Sequence, residues 1–222
     1  VMTDDKKITL ESIKARGTQR ALAINPSTIA SFEESKVIFA TTVRKSFFLI
    51  EAKLDAAKAL KTAPDGDRFR IVFLGDGANK AALRQRAQTE GLTNVIFVDS
   101  VPKDQVARYW SLLDASIIHL KRDDLFTTVI PSKLFECMAM AIPVLHGVQG
   151  ESATIVEQED VGLLFEPENP EALIHGLRRL ASDQTLFNHF KSNGPIAAKR
   201  YDRVSLAKNM QEIIQALTIR VL

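Results

Sequence analysis

A doubly wound, Rossmann-like α/β domain with a parallel six-stranded sheet is the fold this sequence predicts, and three observations carry it. Short, continuously apolar runs alternate with longer amphipathic stretches. Each apolar run stops at turn residues. One of them closes on Gly75-Asp76-Gly77 directly ahead of a helical pattern. Strands buried on both faces and separated by helices make a parallel sheet with helices on both sides.

Taken in order, residues 36–41 (KVIFAT) read as the first strand and the alanine-rich segment 50–61 as the helix behind it. Residues 69–74 (FRIVFL) form the second strand, and a helix over 78–90 follows, stopped by Gly91. Residues 94–98 are the third strand, with a helix over 103–113 begun just after Pro102. Residues 115–120 (ASIIHL) are the fourth strand. Next comes a short helix opened by Pro131 and broken near Ala141, then a fifth strand at 143–146 and a sixth at 162–165. The tail holds three helical patterns with no strand between them, at 171–182, 184–191 and 203–218.

The first residues stand outside this alternation. Residues 4–16 read as a helix ended by Gly17, and Ile24-Asn25-Pro26 as a linker. Nothing before Lys36 completes a βαβ unit, so residues 1–34 are expected to be the linker and remnant of a preceding domain. A chain that begins with valine reads as a piece of a longer one.

The chain has 222 residues, of which 45% are hydrophobic and 25% charged, with a net charge of +2. That is an ordinary globular profile. No block of Lys and Arg is long enough for a nucleic-acid interface. The single cysteine, Cys137, excludes an internal disulfide and a multi-cysteine metal site, and fits a reducing compartment. No apolar run reaches the roughly 18–20 residues that span a bilayer. Asp4, Asp5, Lys6 and Lys7 crowd the start where a signal peptide would need an apolar run. A cytoplasmic location, at most at the inner face of the membrane, is expected.

Four places carry candidate chemistry. Gly75-Asp76-Gly77, at a strand end, is where a phosphate would meet a helix N-terminus. A dinucleotide fingerprint would continue to a third glycine, but Lys80 stands there, although Asp99 falls where a ribose-binding acid belongs. Either a nucleotide site or a plain tight turn fits these residues. Asp123-Asp124 and the loop through Thr127, Thr128, Val129 and Ile130 run into the Pro131 helix. Its first N–H groups, with Thr127, Thr128 and Ser132, either hold a phosphate or only cap the helix. Glu136 sits in the apolar middle of that helix, and a carboxylate buried there needs a partner. It faces a ligand crevice or pairs with Lys133 one turn back. His119 and His146, near strand ends, are candidates to line the crevice, whereas His175 and His189 read as surface or packing residues. No His/Asp/Glu spacing resembles a metal site, and no Ser nucleophile elbow is present.

From Phe69 onward the chain resembles the donor-binding half of a GT-B glycosyltransferase of the GT4 type. The likeness rests on FLGDG, NVIFVDSVPKDQVARYWSLLDASII, TVIPSKLFECMAMAIPVL, GESATIVE and VGLLFEPENPEAL. The TVIPSK…GES combination is nearest to bacterial transferases that build O-antigen or capsule on lipid carriers. The start, VMTDDKKITLESIKARG, resembles the segment that leaves the family's first domain.

The resemblance implies sugar transfer with retention, without a metal or other cofactor, from a nucleoside-diphosphate sugar, expected to be UDP-linked. The acceptor, a glycan or lipid-linked sugar, would sit on an N-terminal domain not represented here. Residues 35–200 would be the donor domain, and 201–222 a helix packing back towards that first domain. Glu136 matches the second glutamate of the family's E-x7-E motif, which accepts hydrogen bonds from the donor ribose. The backbone at Thr128, Val129 and Ile130, with Ser132 and Lys133 beside it, would hold the diphosphate. Gly75, Gly77 and Val101 would border the nucleotide, and residues near Val98 to Val101 would lie beside the base. Two departures stand out. Thr128 occupies the place of the first glutamate. The glycine-rich loop after the first strand is replaced by a stretch in which Arg44 and Lys45 could clamp a diphosphate instead. Such a domain alone would bind nucleotide weakly and turn over nothing. A GT-B nucleotide-sugar epimerase, a non-catalytic nucleotide-binding module and, last, a nicotinamide dehydrogenase remain as alternatives.

Overall fold

A computed structural model describes residues 36–41, 48–77 and 79–219. The expected helix at 4–16, the linker at 24–26, and Arg44 and Lys45 lie outside the described residues. Six strands form one sheet: β1 (Lys36–Thr41), β2 (Phe69–Leu74), β3 (Val95–Val98), β4 (Ala115–His119), β5 (Val144–Gly147) and β6 (Gly162–Leu164). Their order is β3-β2-β1-β4-β5-β6. Each neighbouring pair is parallel, with Ala40 opposite Phe73 on one side of β1 and opposite Ile117 on the other. The helices are α1 (Phe48–Thr62), α2 (Lys80–Thr89), α3 (Lys103–Trp110), α4 (Ser132–Ala139), α5 (Glu151–Glu159), α6 (Pro170–Ser182), α7 (Gln184–Arg200) and α8 (Arg203–Ile219).

Alternation along the strands divides the core into two apolar layers. Ile71, Phe73, Ile117 and Leu145 point to one face, where Leu54, Ala57 and Leu60 of α1 and Leu173 and Leu177 of α6 cover them. Ile118 and Val144 point to the other, against Trp110, Leu134, Met138, Val156 and Ala197. With successive strand side chains directed to opposite faces, this is the doubly wound architecture expected.

Two local conformations shape the top of the sheet. Gly75 adopts φ 130°, so β2 turns out of the sheet through backbone that an L-residue rarely takes. The α4 helix ends at Met140, and Ala141 takes φ 56° before the chain enters β5. The break expected near Ala141 is therefore a left-handed residue rather than a proline effect.

One expected element is corrected. The pattern at 184–191 is a much longer helix, α7, that runs through Gly194 and Pro195 to Arg200. Both residues disfavour helix interiors, yet packing outweighs that preference. A Cβ at Gly194 would stand 2.8 Å from the Met138 carbonyl oxygen, so glycine lets α7 lie directly against α4. The end of α7 is then tied down by Glu159, which accepts hydrogen bonds from Arg200 and from the Tyr201 hydroxyl at 3.0 Å.

Candidate functional site

The strand order reverses between β1 and β4, and in an open parallel sheet the crevice for a ligand lies beyond the strand ends at that reversal. A cavity of about 410 Å³ opens at this end of the sheet. Leu74, Gly75, Asp76 and Gly77 border it from the end of β2, Ser100 and Val101 from beyond β3, Val106 and Trp110 from α3, and Lys133 and Glu136 from α4.

The Gly-Asp-Gly turn is held by its own carboxylate. Asp76 accepts a hydrogen bond from the Ser100 N–H at 3.0 Å and from the Lys80 ammonium at 2.6 Å. The Lys80 hydrogen bond, helped by Ser100, holds the Asp76 carboxyl below the usual carboxylate range. Lys80 also binds Asp99, at 2.5 Å, with Arg84 nearby at 3.6 Å. The residue in place of a third glycine thus staples the ends of β2 and β3 together, and the acid expected to meet a ribose is engaged by cations instead. A nicotinamide site loses its main support.

Glu136 reaches the cavity for a different reason from the one the sequence suggested. It is solvent-exposed, as are Ser132 and Ala139 on the same side of α4, while Leu134, Cys137 and Met138 are buried. The helix keeps a wetted face towards the crevice, so Glu136 carries no burial penalty. Lys133 is half-buried, and its ammonium pKa is lowered by burial, with Glu136 acting in the opposite direction. Cys137, on the buried side, has its thiol pushed up to about 12, chiefly by burial, and stays protonated at neutral pH.

The loop leading into α4 is a 3₁₀ turn, Asp124–Thr128, capped by the Asp123 carboxylate on the Leu125 N–H. Thr127 and Thr128 donate back to the carbonyls of Asp124 and Leu125 within that turn, at 2.7 and 3.4 Å. Neither caps α4. That helix starts after Pro131 with no side-chain cap from that residue, and the Leu134 N–H is taken by the Pro131 carbonyl at 2.9 Å. Val129 and Ile130 are exposed large apolar side chains on the same approach.

Of the residues singled out from sequence, the cavity brings together Gly75, Gly77, Val101, Lys133 and Glu136. Thr128, Val129, Ile130 and Ser132 border α4 but do not line it. His119 and His146 do not line it either: both are buried, at 3% and 0% exposure. His146 Nε2 meets the Ser152 hydroxyl at 2.9 Å, and His119 Nε2 accepts the Glu168 N–H at 2.8 Å. His189 is a surface residue beside Asp160, and His175 is exposed. Sequence reading held Asp76 within the Gly-Asp-Gly turn and Ser100 within the Val98 to Val101 stretch without giving either a role of its own, and it missed Val106 and Trp110. It also missed Lys53, which is 2% exposed on the core-facing side of α1. Lys53 was visible as a lysine in register with Ala56, Ala57 and Leu60, the helical spacing of a buried stripe. Among the described residues no group of three or more His, Cys, Asp or Glu side chains could hold a metal ion.

Comparison with known proteins places this geometry. An exopolysaccharide phosphotransferase of Streptomyces coelicolor is 24% identical over 99% of this chain and 23% of its own length. The O-antigen chain mannosyltransferase C of Escherichia coli is 23% identical over 76% of this chain and 45% of its own. The chain thus spans less than half the length of these relatives. HepE of Anabaena, solved in complex with UDP, superposes with a TM-score of 0.72 and 16% identity over 90% of this chain and 53% of that one. The fold is thus the Rossmann-like half of a GT-B architecture. The family model of glycosyl transferases group 1 matches residues 49–196, and the chain belongs to that family.

Proposed function

We propose that this chain is the donor-binding half of a glycosyltransferase that moves a sugar, with retention, from a nucleoside-diphosphate sugar to a glycan or lipid-linked acceptor in surface-polysaccharide synthesis. The observation that carries this reading is the crevice itself, where the Gly75-Asp76-Gly77 turn and the α4 residues Lys133 and Glu136 face one another across a cavity beyond the strand ends. A nucleoside fits between Val101, Trp110 and the turn, and Glu136 is placed to accept hydrogen bonds from ribose hydroxyls. The diphosphate then points to the start of α4 and the backbone of Thr128, Val129 and Ile130. A UDP-linked donor is favoured by the UDP bound in the HepE structure.

In this reading catalysis is mostly positioning and electrostatics, with N–H groups and ammonium groups stabilising the departing nucleoside diphosphate. Thr128 brings a hydroxyl rather than a carboxylate towards the transferred sugar, and no metal or cofactor is called on. The acceptor would be held by an N-terminal domain, with residues 1–34 leading from it and 35–200 forming the donor domain. The α8 helix would pack back against that first domain. It exposes Val204, Leu206, Met210, Ile213 and Ile214, an apolar surface suited to such a contact. No described helix is long and apolar enough to cross a membrane. Work at the cytoplasmic membrane face, on a lipid-linked acceptor, would therefore be peripheral.

Calorimetry with UDP, GDP and NAD tests the donor site. UDP or GDP is expected to bind, NAD not, and Glu136→Ala to weaken the nucleotide about tenfold, a loss of about 1.4 kcal/mol. NAD binding, or an unchanged affinity in the variant, would contradict the assignment.

A further inference from the structure

The candidate site leans on α4, and α4 has little of its own to fix its orientation. It has eight residues, with no side-chain cap from Pro131 at its start and left-handed Ala141 just past its end. A helix this short is not stable by itself, so packing holds it in place. Leu134 and Met138 sink into the core, which fixes the depth of the helix and leaves its rotation to the flank. That flank is α7. A Cβ at Gly194 would stand 2.8 Å from the Met138 carbonyl oxygen, so the two backbones touch near the end of α4.

Nearer the middle of α4 the support is one ring pair. Phe135 and Tyr201 lie with their ring centroids 4.8 Å apart and their planes inclined at 32°. Tyr201 directly follows α7 and is anchored independently of α4. Its hydroxyl donates to Glu159 of α5 at 3.0 Å, and Arg200 grips the same carboxylate, its Nε standing 3.1 Å from each oxygen. The Glu159 side chain is 8% exposed. A carboxylate so withdrawn is costly to leave unpaired, which holds Tyr201 and the end of α7 on α5. At its other end α5 meets the 3₁₀ turn ahead of α4, where Gly150 packs on the Thr127 carbonyl. Three helices therefore meet at one tyrosine, and its ring stacks on the residue next to Glu136.

Successive residues on a helix are about 100° apart. Phe135 looks towards α7 while Glu136 looks into the cavity. A helix turned from the Phe135 side carries Glu136 with it. Misplacing a binding group by about 1 Å costs up to about a hundredfold.

We propose that Tyr201 is a positioning residue for the donor crevice: stacked on Phe135, it sets the rotation of α4 that points Glu136 at the ribose of the nucleotide. The role rests on the donor reading above. The ring carries it, and the hydroxyl serves the fold by pairing with Glu159. Tyr201 does not itself line the cavity, so its effect on the nucleotide travels through α4.

The test is calorimetric titration of the 222-residue chain with UDP. The parent is compared with Tyr201→Leu, Tyr201→Phe and Glu136→Ala, and Tyr201→Leu is also made in the Glu136→Ala background. Tyr201→Leu is expected to weaken UDP about fivefold in the parent and less than about twofold once Glu136 is gone, because the two residues act through one contact. A purely structural role would weaken binding equally in both backgrounds. Tyr201→Phe is expected to keep UDP affinity within about twofold of the parent while melting lower, since it loses only the bond to Glu159. Should Tyr201→Leu fail to fold, Phe135→Leu removes the same ring pair from α4 and carries the same expectation. A folded Tyr201→Leu that binds UDP like the parent would overturn the role of Tyr201. So would equal losses in the two backgrounds, or a Tyr201→Phe as weak as Tyr201→Leu. In each of those cases a loss of about tenfold in Glu136→Ala would still support the donor site. A parent chain that bound no nucleoside diphosphate would remove both.

Discussion

Replacing Gly150 by valine is expected to cost the domain about 3 kcal/mol and to lower its Tm by about 10 °C. Gly150 has φ 82°, and a Cβ there would stand 1.9 Å from the Thr127 carbonyl oxygen. Backbone strain and a backbone clash act together, and no flexible side chain can yield to relieve them. Thr127 belongs to the 3₁₀ turn that delivers the chain to α4, so relaxing the clash would move the entrance to the candidate site as well as loosen the fold. Gly77→Ala is the matched control. A Cβ at Gly77 would meet nothing within 4 Å, so its stability is expected to stay within about 0.5 kcal/mol of the parent. Thermal melts of the two variants check this, and a Gly150→Val protein as stable as Gly77→Ala would contradict the packing described here.

Acidification is expected to destabilise the fold earlier than its carboxylates alone would. Burial pushes His146 down to about 4, and burial with the nearby Lys53 charge pushes His119 down to about 3. An unfolded histidine titrates near 6.5. Below that pH the unfolded chain binds protons that the folded one refuses. The stabilisation is complete above about pH 6.5 and is lost as pH falls through 4 and then 3, at up to about 1.4 kcal/mol per pH unit for each histidine. Carboxylates held low by their partners, such as Asp76 and Glu159, add the same sign further down. Lys53 acts on the alkaline side. Its folded value near 7 lies below the ordinary 10.5, so it contributes a rise in stability from pH 7 towards 10.5. Calorimetric melts from pH 7.5 to 4.5 should show a steady fall in Tm, and His146→Gln should flatten it. A parent Tm that stayed constant over that range would be the contrary result.

Much of the architecture was legible because the strands are buried on both faces and read as unbroken apolar runs. β1 and β2 were placed to the residue, Gly91 marked the end of α2, and Pro102 the start of α3. The extent of α7 was not legible, because Gly194 and Pro195 signal a break locally, and only the closeness of the Met138 backbone explains why the helix goes on. The cavity was legible where single segments carried it, at Gly75, Gly77 and Glu136. Val106 and Trp110 were not, since they meet the turn only after β2, β3 and α3 are brought side by side. Glu136 was singled out on an argument from burial that its exposure does not support. The sequence cue that mattered for it was its position on the outward face of a helix that begins at a strand end. Lys53 shows the opposite failure. Its place in the buried stripe of α1 was written in the spacing, but a lysine there reads as a solvated residue until the fold shows it 2% exposed.

The most direct test of the donor site is an amide chemical-shift map of the ¹⁵N-labelled chain titrated with UDP. The crevice described here predicts that the largest shifts cluster at Gly75, Gly77, Val101, Lys133 and Glu136, and that the map fades when Glu136→Ala is titrated in parallel. Shifts scattered over the surface, or gathered at α6 and β6 away from the end of β2, would contradict it.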